Sequence, residues 1–209
     1  MAPNGLIERL SEVSGRDVSR ETLAHLAAYV SLLTDAAAQQ NLVAPSTLET
    51  VWERHILDSA QLVRLAPQDG VWADIGSGAG LPGMVLAILS SNPIRLIEPR
   101  RLRADFLSET AEALGLTNVS VDCARVERVR GQFDVITARA VAQLDRFLAM
   151  ADHLSNSGTV WVLPKGKNAQ SELAQARLNW HCDVSVEQSR TDPESQILVL
   201  TRVGAKKKR

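Results

Sequence analysis

The segment Asp74-Ile-Gly-Ser-Gly-Ala-Gly-Leu-Pro-Gly83 constrains this chain more than any other. It follows a short apolar run over 71–75, and Pro82 suits the first turn of a helix beginning there. Glycines let a backbone approach a ligand closely, and amides near a helix N-terminus favour an anionic group. One tight turn would need one or two glycines, whereas Gly76, Gly78, Gly80 and Gly83 supply four. A strand, a glycine loop and a helix in that order open a ligand-binding α/β domain.

The rest of the chain after Gly70 agrees. Short apolar runs at 94–97, 119–121, 133–137 and 159–163 alternate with helical stretches at 82–89, 101–114 and 144–153. This alternation predicts a mostly parallel sheet with helices on both faces, a Rossmann-like α/β fold. Runs at 184–186 and 197–201 predict a final antiparallel pair, giving seven strands. Before Gly70 the pattern is helical. Leu23, Leu26, Ala27, Val30 and Leu33 recur at helical spacing behind a capping Ser19, and Leu48, Val51, Trp52, Ile56 and Val63 do so after Pro45. The expected division is a helical N-terminal extension over 1–66 and a ligand-binding domain over 67–209.

A chain of 209 residues that is 45% hydrophobic suits one such domain with a modest extension. It carries no 18-residue apolar run and no apolar N-terminal stretch, which predicts a cytoplasmic protein without a membrane partner. Cys123 and Cys182 stand apart from each other and from any histidine cluster, so neither disulfide nor metal is expected. A net charge of −1 gives no global attraction to nucleic acid. The arginines are clustered, however, at 95–103 and 125–146, and Lys206-Lys-Lys-Arg209 ends the chain as a solvated tail or an RNA-binding arm.

Two cofactors compete for the glycine loop. Gly78-x-Gly80-x-x-Gly83 satisfies the dinucleotide fingerprint, with Glu98 about twenty residues beyond Gly78 where an NAD ribose acid is expected. S-adenosylmethionine is favoured because Asp74 at the strand end can orient its amino group and because the sheet ends in an antiparallel pair. Little chain also remains for a separate oxidoreductase substrate domain. On this reading Glu98 accepts from the ribose hydroxyls, and Val126 and Glu127 sit beside the adenine. An S-adenosylmethionine-binding module without turnover is the remaining alternative.

Asn41-Leu42, Arg54-His-Ile-Leu-Asp-Ser59, the glycine loop, Arg125-Val-Glu127, Arg139-Ala140 and Lys165-Gly166 together resemble the bacterial glucose-inhibited division protein B family. Its members methylate N7 of a guanine in 16S ribosomal RNA. The resemblance covers nearly the whole chain and implies cofactor contacts at Gly76, Leu81, Val126, Glu127 and Arg139, with 16S RNA or the small ribosomal subunit as partner. The family's usual Asn-Leu-Thr reads Asn41-Leu42-Val43 here.

Guanine N7 has an in-plane lone pair and no proton, so its methylation needs alignment and desolvation rather than a general base. The machinery of other methylations is missing in this sequence. Thr137-Ala-Arg-Ala140 stands where exocyclic-amine methylation would need an Asn/Asp-Pro-Pro-aromatic segment. Cytosine C5 methylation would need a cysteine just after the fourth strand, whereas Cys123 follows the third and Cys182 lies in the last third of the chain. Arg139 is therefore the expected aligning residue, toward guanine, cofactor or phosphate. Arg100, Arg101, Lys165 and Lys167 are the expected RNA contacts. The spacing of His55 and Asp58 predicts a side-chain hydrogen bond tying the extension to the domain, without a catalytic role. The protein is expected to act as a monomer.

Overall fold

A computed structural model describes residues 5–207. Lys208 and Arg209 of the basic tail lie outside the described residues. The chain begins with α1 (Leu6–Ser14), which buries Leu6, Leu10 and Val13 and ends at the left-handed Gly15. In α2 (Arg20–Ala37) the Ser19 side chain accepts from the Thr22 amide, as its capping position predicts. Leu26, Tyr29 and Leu33 form the buried stripe of this helix.

The second helical stretch departs from the expectation of one continuous helix. It is a 3₁₀ turn at Pro45–Thr47, a π-helical segment at Trp52–Leu57, the single turn α3 (Asp58–Ala60) and a 3₁₀ turn at Val63–Leu65. An insertion of this kind rotates the residues that follow it relative to an α-helical register, and such segments are frequent at functional sites.

From β1 onward the order is strand and helix in turn: β1 (Trp72–Ile75), α4 (Gly83–Leu89), β2 (Ile94–Ile97), α5 (Arg101–Ala113), β3 (Val119–Asp122) and β4 (Val135–Thr137). Then follow α6 (Leu144–Ala151), β5 (Val160–Lys165), α7 (Ala169–Asn179), β6 (Trp180–Gln188) and β7 (Gln196–Ala205). The seven strands lie in the order β3-β2-β1-β4-β5-β7-β6. β1 to β5 are parallel, and β7 runs antiparallel to both of its neighbours. A dinucleotide fold would continue the parallel order outward from β5; the reversed β7 sets this sheet apart. The strand order turns back between β1 and β4, and ligands of open α/β sheets bind outside the strands' carboxyl ends at such a point.

Helices cover both faces. One apolar cluster packs α1, α2, α4 and α5 on the first face, with Leu10, Tyr29, Met84 and Leu107 among its members, so the N-terminal helices share a continuous core with the sheet. The second holds α6 and α7 against the other face, where Phe147 meets Trp161 edge-on with ring centroids 5.8 Å apart. The helix α7 has no strong apolar stripe: it buries only Ala169, Leu173 and Ala176.

Candidate active site

The glycine loop leaves β1 at Ile75, and its residues divide into two groups by burial. Gly76 and Gly78 keep exposed surface, whereas Ser77, Ala79, Gly80, Leu81 and Gly83 are buried. Ligand contact is thereby available at the first two glycines, and Gly80 and Leu81 face the interior. Gly76 has a φ of +71°, and a Cβ there would lie 2.6 Å from Val141 Cγ2. The loop after β4 thus sits directly over the loop after β1.

Asp74 and Glu98, two of the acids expected in the cofactor site, each have a structural partner within the loop. Asp74 is wholly buried; its Oδ2 accepts from the Gly83 amide at 3.0 Å, and its Oδ1 has no partner among the described residues. Burial pushes this carboxyl up to about 6. Glu98 accepts from the Gly78 amide through Oε2 and from the Arg100 amide through Oε1, each at 2.9 Å. It is 3% exposed, so it shapes the loop before any ligand arrives. Val126 is buried in the second core cluster while Glu127 beside it is exposed, on the 3₁₀ turn after β3. An unpartnered buried oxygen, two accessible glycines and a carboxylate held at the end of β2 fit a cofactor with a cationic amine and a ribose.

The opposite wall is built around Arg139, just past the end of β4. Its Nη1 donates to the Arg54 carbonyl at 3.3 Å and to Asp58 Oδ2 at 3.4 Å, and its Nη2 donates to His55 Nδ1 at 3.3 Å. The expected hydrogen bond between His55 and Asp58 is replaced by this arrangement, because the π-helical register turns both side chains toward Arg139. They tie the extension to the domain through the guanidinium. Asp58 Oδ1 also accepts from Gln61 and from Thr191, which brings the β6–β7 loop into the same network.

His55 is neutral at physiological pH. Burial, and then the nearby Arg139 charge, lower its pKa to about 4. Since arginine has only donors, Nδ1 must accept, which leaves the proton on Nε2 facing Thr47 Oγ1 at 2.8 Å. Thr47 in turn donates to the Ala44 carbonyl at 2.7 Å. The hydrogen-bond directions are consistent from Arg139 to Ala44.

Two cavities adjoin Arg139. One, of about 370 Å³, is lined by Val141, Ala142, Pro164, Lys165, Gly166 and Ile197, and the other, of about 380 Å³, by Leu42, Ala44, Thr47, Arg54 and Asp192. Asp58, Arg139, Ala140 and Ser195 border both. Ala140 adopts φ +55°, a conformation that costs a residue with a Cβ about 1–2 kcal/mol and accompanies binding loops. It turns the chain so that Arg139 faces the extension and Val141 faces Gly76.

The expected RNA contacts are dispersed. Lys165 is paired with Glu172 at 2.9 Å in the first cavity's wall, with little exposure, while Lys167 is exposed two residues on. Arg101 pairs with Asp105 one turn along α5, and Arg100 is exposed at that helix's N-cap. The sequence reading passed over Tyr29, the chain's one tyrosine, whose buried hydroxyl donates to the Ala79 carbonyl at 2.8 Å and pins the glycine loop from α2. Arg103, expected only as one of the clustered arginines, donates to the Asn41 carbonyl at 2.7 Å beside Gly78. The helical spacing of Tyr29 with Leu26 and Leu33 is the available signal for the first; the arginine cluster is the signal for the second. Among the described residues no cluster of His, Cys, Asp or Glu can hold a metal ion, and no helix is long and apolar enough to cross a membrane.

The profile of the family described as rRNA small subunit methyltransferase G matches residues 22–197. The ribosomal RNA small subunit methyltransferase G of Zymomonas mobilis is 45% identical over 202 residues, covering 92% of this chain and 91% of that one. That of Sphingopyxis alaskensis is 47% identical over 194 residues, 91% of this chain and 83% of its own. Among solved structures, M. jannaschii TYW2 in complex with AdoMet superposes with a TM-score of 0.57 at 16% identity, covering 79% of this chain and 78% of that one. A SAM-dependent methyltransferase from Aquifex aeolicus gives 0.57 at 14% identity, over 76% of this chain and 98% of its own. These structural likenesses carry the fold alone; it is the family profile and the relatives that give the dinucleotide oxidoreductase reading no support. With the family profile spanning both the Arg54–Asp58 segment and the glycine loop that meet around Arg139, the chain belongs to the rRNA small subunit methyltransferase G family.

Proposed function

We propose that this protein transfers the methyl group of S-adenosylmethionine to N7 of one guanine in small-subunit (16S) ribosomal RNA, acting in the cytoplasm as a single chain. The observation that carries this reading is that every acid lining the two cavities beside Arg139 is already engaged. Asp58 is paired with Arg139, Glu172 with Lys165, Glu53 with Arg9, and Asp192 with Ser195 and the Glu194 amide. His55 spends its one free lone pair on Arg139. Among the described residues that line these two cavities no side chain is left poised as a general base, and N7 needs none.

When bound, S-adenosylmethionine supplies an electrophilic methyl on a sulfonium. Gly76 and Gly78 would admit it against the backbone, Glu98 would offer its remaining lone pairs to the ribose, and Val126 and Glu127 would flank the adenine. Arg139 and Val141 border the first cavity and Val141 also lies against Gly76, so together they would set the distance between methyl and guanine. Because Arg139 is paired with Asp58, its charge opposes little of the positive charge that the purine acquires. Arg100, Arg101 and Lys167 would meet RNA phosphates, with Lys165 closing the base cavity through Glu172.

The test is incubation with methyl-labelled S-adenosylmethionine and small subunits, or 16S RNA, from cells lacking the protein. Label mapping to N7 of one guanine is the expected result. Bound cofactor with no labelled RNA, or label on another atom, would overturn the substrate assignment.

Asp74 gives a second expected outcome. A cofactor amine nearby favours the carboxylate, so affinity measured by calorimetry should fall severalfold between pH 7.5 and 5.5, with proton release on binding near pH 6. Asp74→Asn should flatten that profile, and an unchanged pH dependence in the variant would place Asp74 outside the site. The linked stabilities have opposite signs. Asp74 binds its proton more tightly in the fold, so its contribution falls as pH rises from about 4 to 6; His55 binds its proton less tightly, so its contribution rises from about 4 to 6.5.

A further inference from the structure

We propose that His55 is a positioning residue for methyl transfer: its Nδ1 lone pair holds the Arg139 guanidinium in the orientation that places the loop after β4 over Gly76. The inference rests on the methyl-transfer role given to Arg139 above and extends it to a histidine of the N-terminal segment.

Three acceptors fix Arg139, and they differ in kind. The Arg54 carbonyl belongs to the backbone, and Asp58 is also held by Gln61 and Thr191 whatever Arg139 does. His55 alone is a neutral side chain whose acceptor is fixed by a hydrogen bond on its far side. The Nε2–H is turned toward Thr47 Oγ1, and the Thr47 hydroxyl toward the Ala44 carbonyl, so Nδ1 is left as a lone pair aimed at Nη2. The ring is only 9% exposed, which keeps water from substituting for it. His55 reaches neither Gly76 nor the cavity that Val141 lines, and it therefore acts through Arg139.

The consequences reach the reacting atoms along one short stretch of chain. Arg139, the left-handed Ala140 and Val141 are consecutive, and Val141 Cγ2 lies against Gly76. A guanidinium released from Nδ1 keeps two bonds of similar length, at 3.3 and 3.4 Å, but both run through Nη1, so it can pivot about that atom. The turn at Ala140 is then held less firmly against its conformational cost.

Two amide substitutions separate this role from a structural one. His55→Asn carries its amide near the Nδ1 position and can present an oxygen to Arg139, but does not reach Thr47. His55→Gln carries its amide near the Nε2 position, keeping Thr47 and losing Arg139. The measurement is kcat and KM for methyl transfer to unmethylated small subunits, together with cofactor affinity and thermal melting of each variant. The expected result is that His55→Gln and His55→Ala lower kcat by about tenfold or more, the scale of one hydrogen bond to a charged group, with cofactor affinity unchanged. His55→Asn should stay within about threefold of the parent. Activity kept by His55→Gln and lost by His55→Asn would mean that the residue serves Thr47, and equal activity of the two variants would mean that the Nδ1 lone pair is not what matters; either result overturns the proposal. Arg139→Ala is assayed alongside. If it transfers methyl at the parent rate, the role given to Arg139 falls instead.

Discussion

Replacing Arg139 with alanine is expected to lower kcat for methyl transfer by at least about a hundredfold. The magnitude is that of misplacing the reacting atoms by about 1 Å, which can cost about a hundredfold. The direction follows from placement: Arg139 borders both cavities, and its neighbour Val141 covers Gly76. Removing the guanidinium also leaves Asp58 without its cation, although Gln61 and Thr191 still donate to Oδ1. Stability should therefore fall only modestly, by about 1–2 kcal/mol for a pair with both side chains about one-fifth exposed. Arg139→Lys restores the charge but not the fork that reaches Nδ1, the carboxylate and the carbonyl together, so it should recover little activity. Steady-state methyl transfer with the melting temperature of each variant checks this. A normal rate in Arg139→Ala would reduce the residue to a brace between the extension and the sheet.

The parts of the fold that were legible in the sequence are those governed by local chemistry. Ser19 caps α2 because a hydroxyl before an apolar helix has a free amide to satisfy. The strands β1, β2, β4 and β5 read as apolar runs because both faces of a parallel sheet are covered. The glycine loop was legible as a ligand site, but not which glycines serve the ligand and which serve packing; that depends on Val141, Leu96 and Leu107, between about ten and sixty-five residues away in the chain. The stretch over 45–66 has helical periodicity, yet it folds as a π segment between 3₁₀ turns, and in that register three of its acceptors converge on Arg139. Periodicity carries no trace of such a partner. The resemblance to a family singles out Arg54–Ser59 and Arg139 as separate motifs, and only the folded chain shows that they touch. Tyr29 illustrates the same limit, since an aromatic on the buried face of α2 reads as core until its hydroxyl is found on the Ala79 carbonyl.

Gly83→Ala is expected to be the most destabilising single-methyl change in the domain. A Cβ on Gly83 would stand 2.3 Å from Leu96 Cδ2, 2.6 Å from Asp74 Oδ2 and 2.9 Å from Asp74 Cβ. Leu96 is fully buried in β2 and Asp74 in β1, so neither can swing into solvent. The N-terminus of α4 must then lift off the strand, and the Gly83 amide must leave Asp74 Oδ2. Overpacking of this kind costs about 1–3 kcal/mol, and stranding a buried carboxylate oxygen adds a similar amount. At about 2–4 °C per kcal/mol for a chain of this size, the melting temperature should drop by roughly 10 °C. Cofactor affinity should fall with it, because the same movement carries the loop from Gly76 to Gly80 away from Glu98. Gly204→Ala in β7 is the control: a Cβ there meets nothing within 4 Å, and the change should be nearly silent. Equal melting temperatures for the two variants would mean that α4 can shift freely over β1. The Asp74–Gly83 bond would then have no part in shaping the loop.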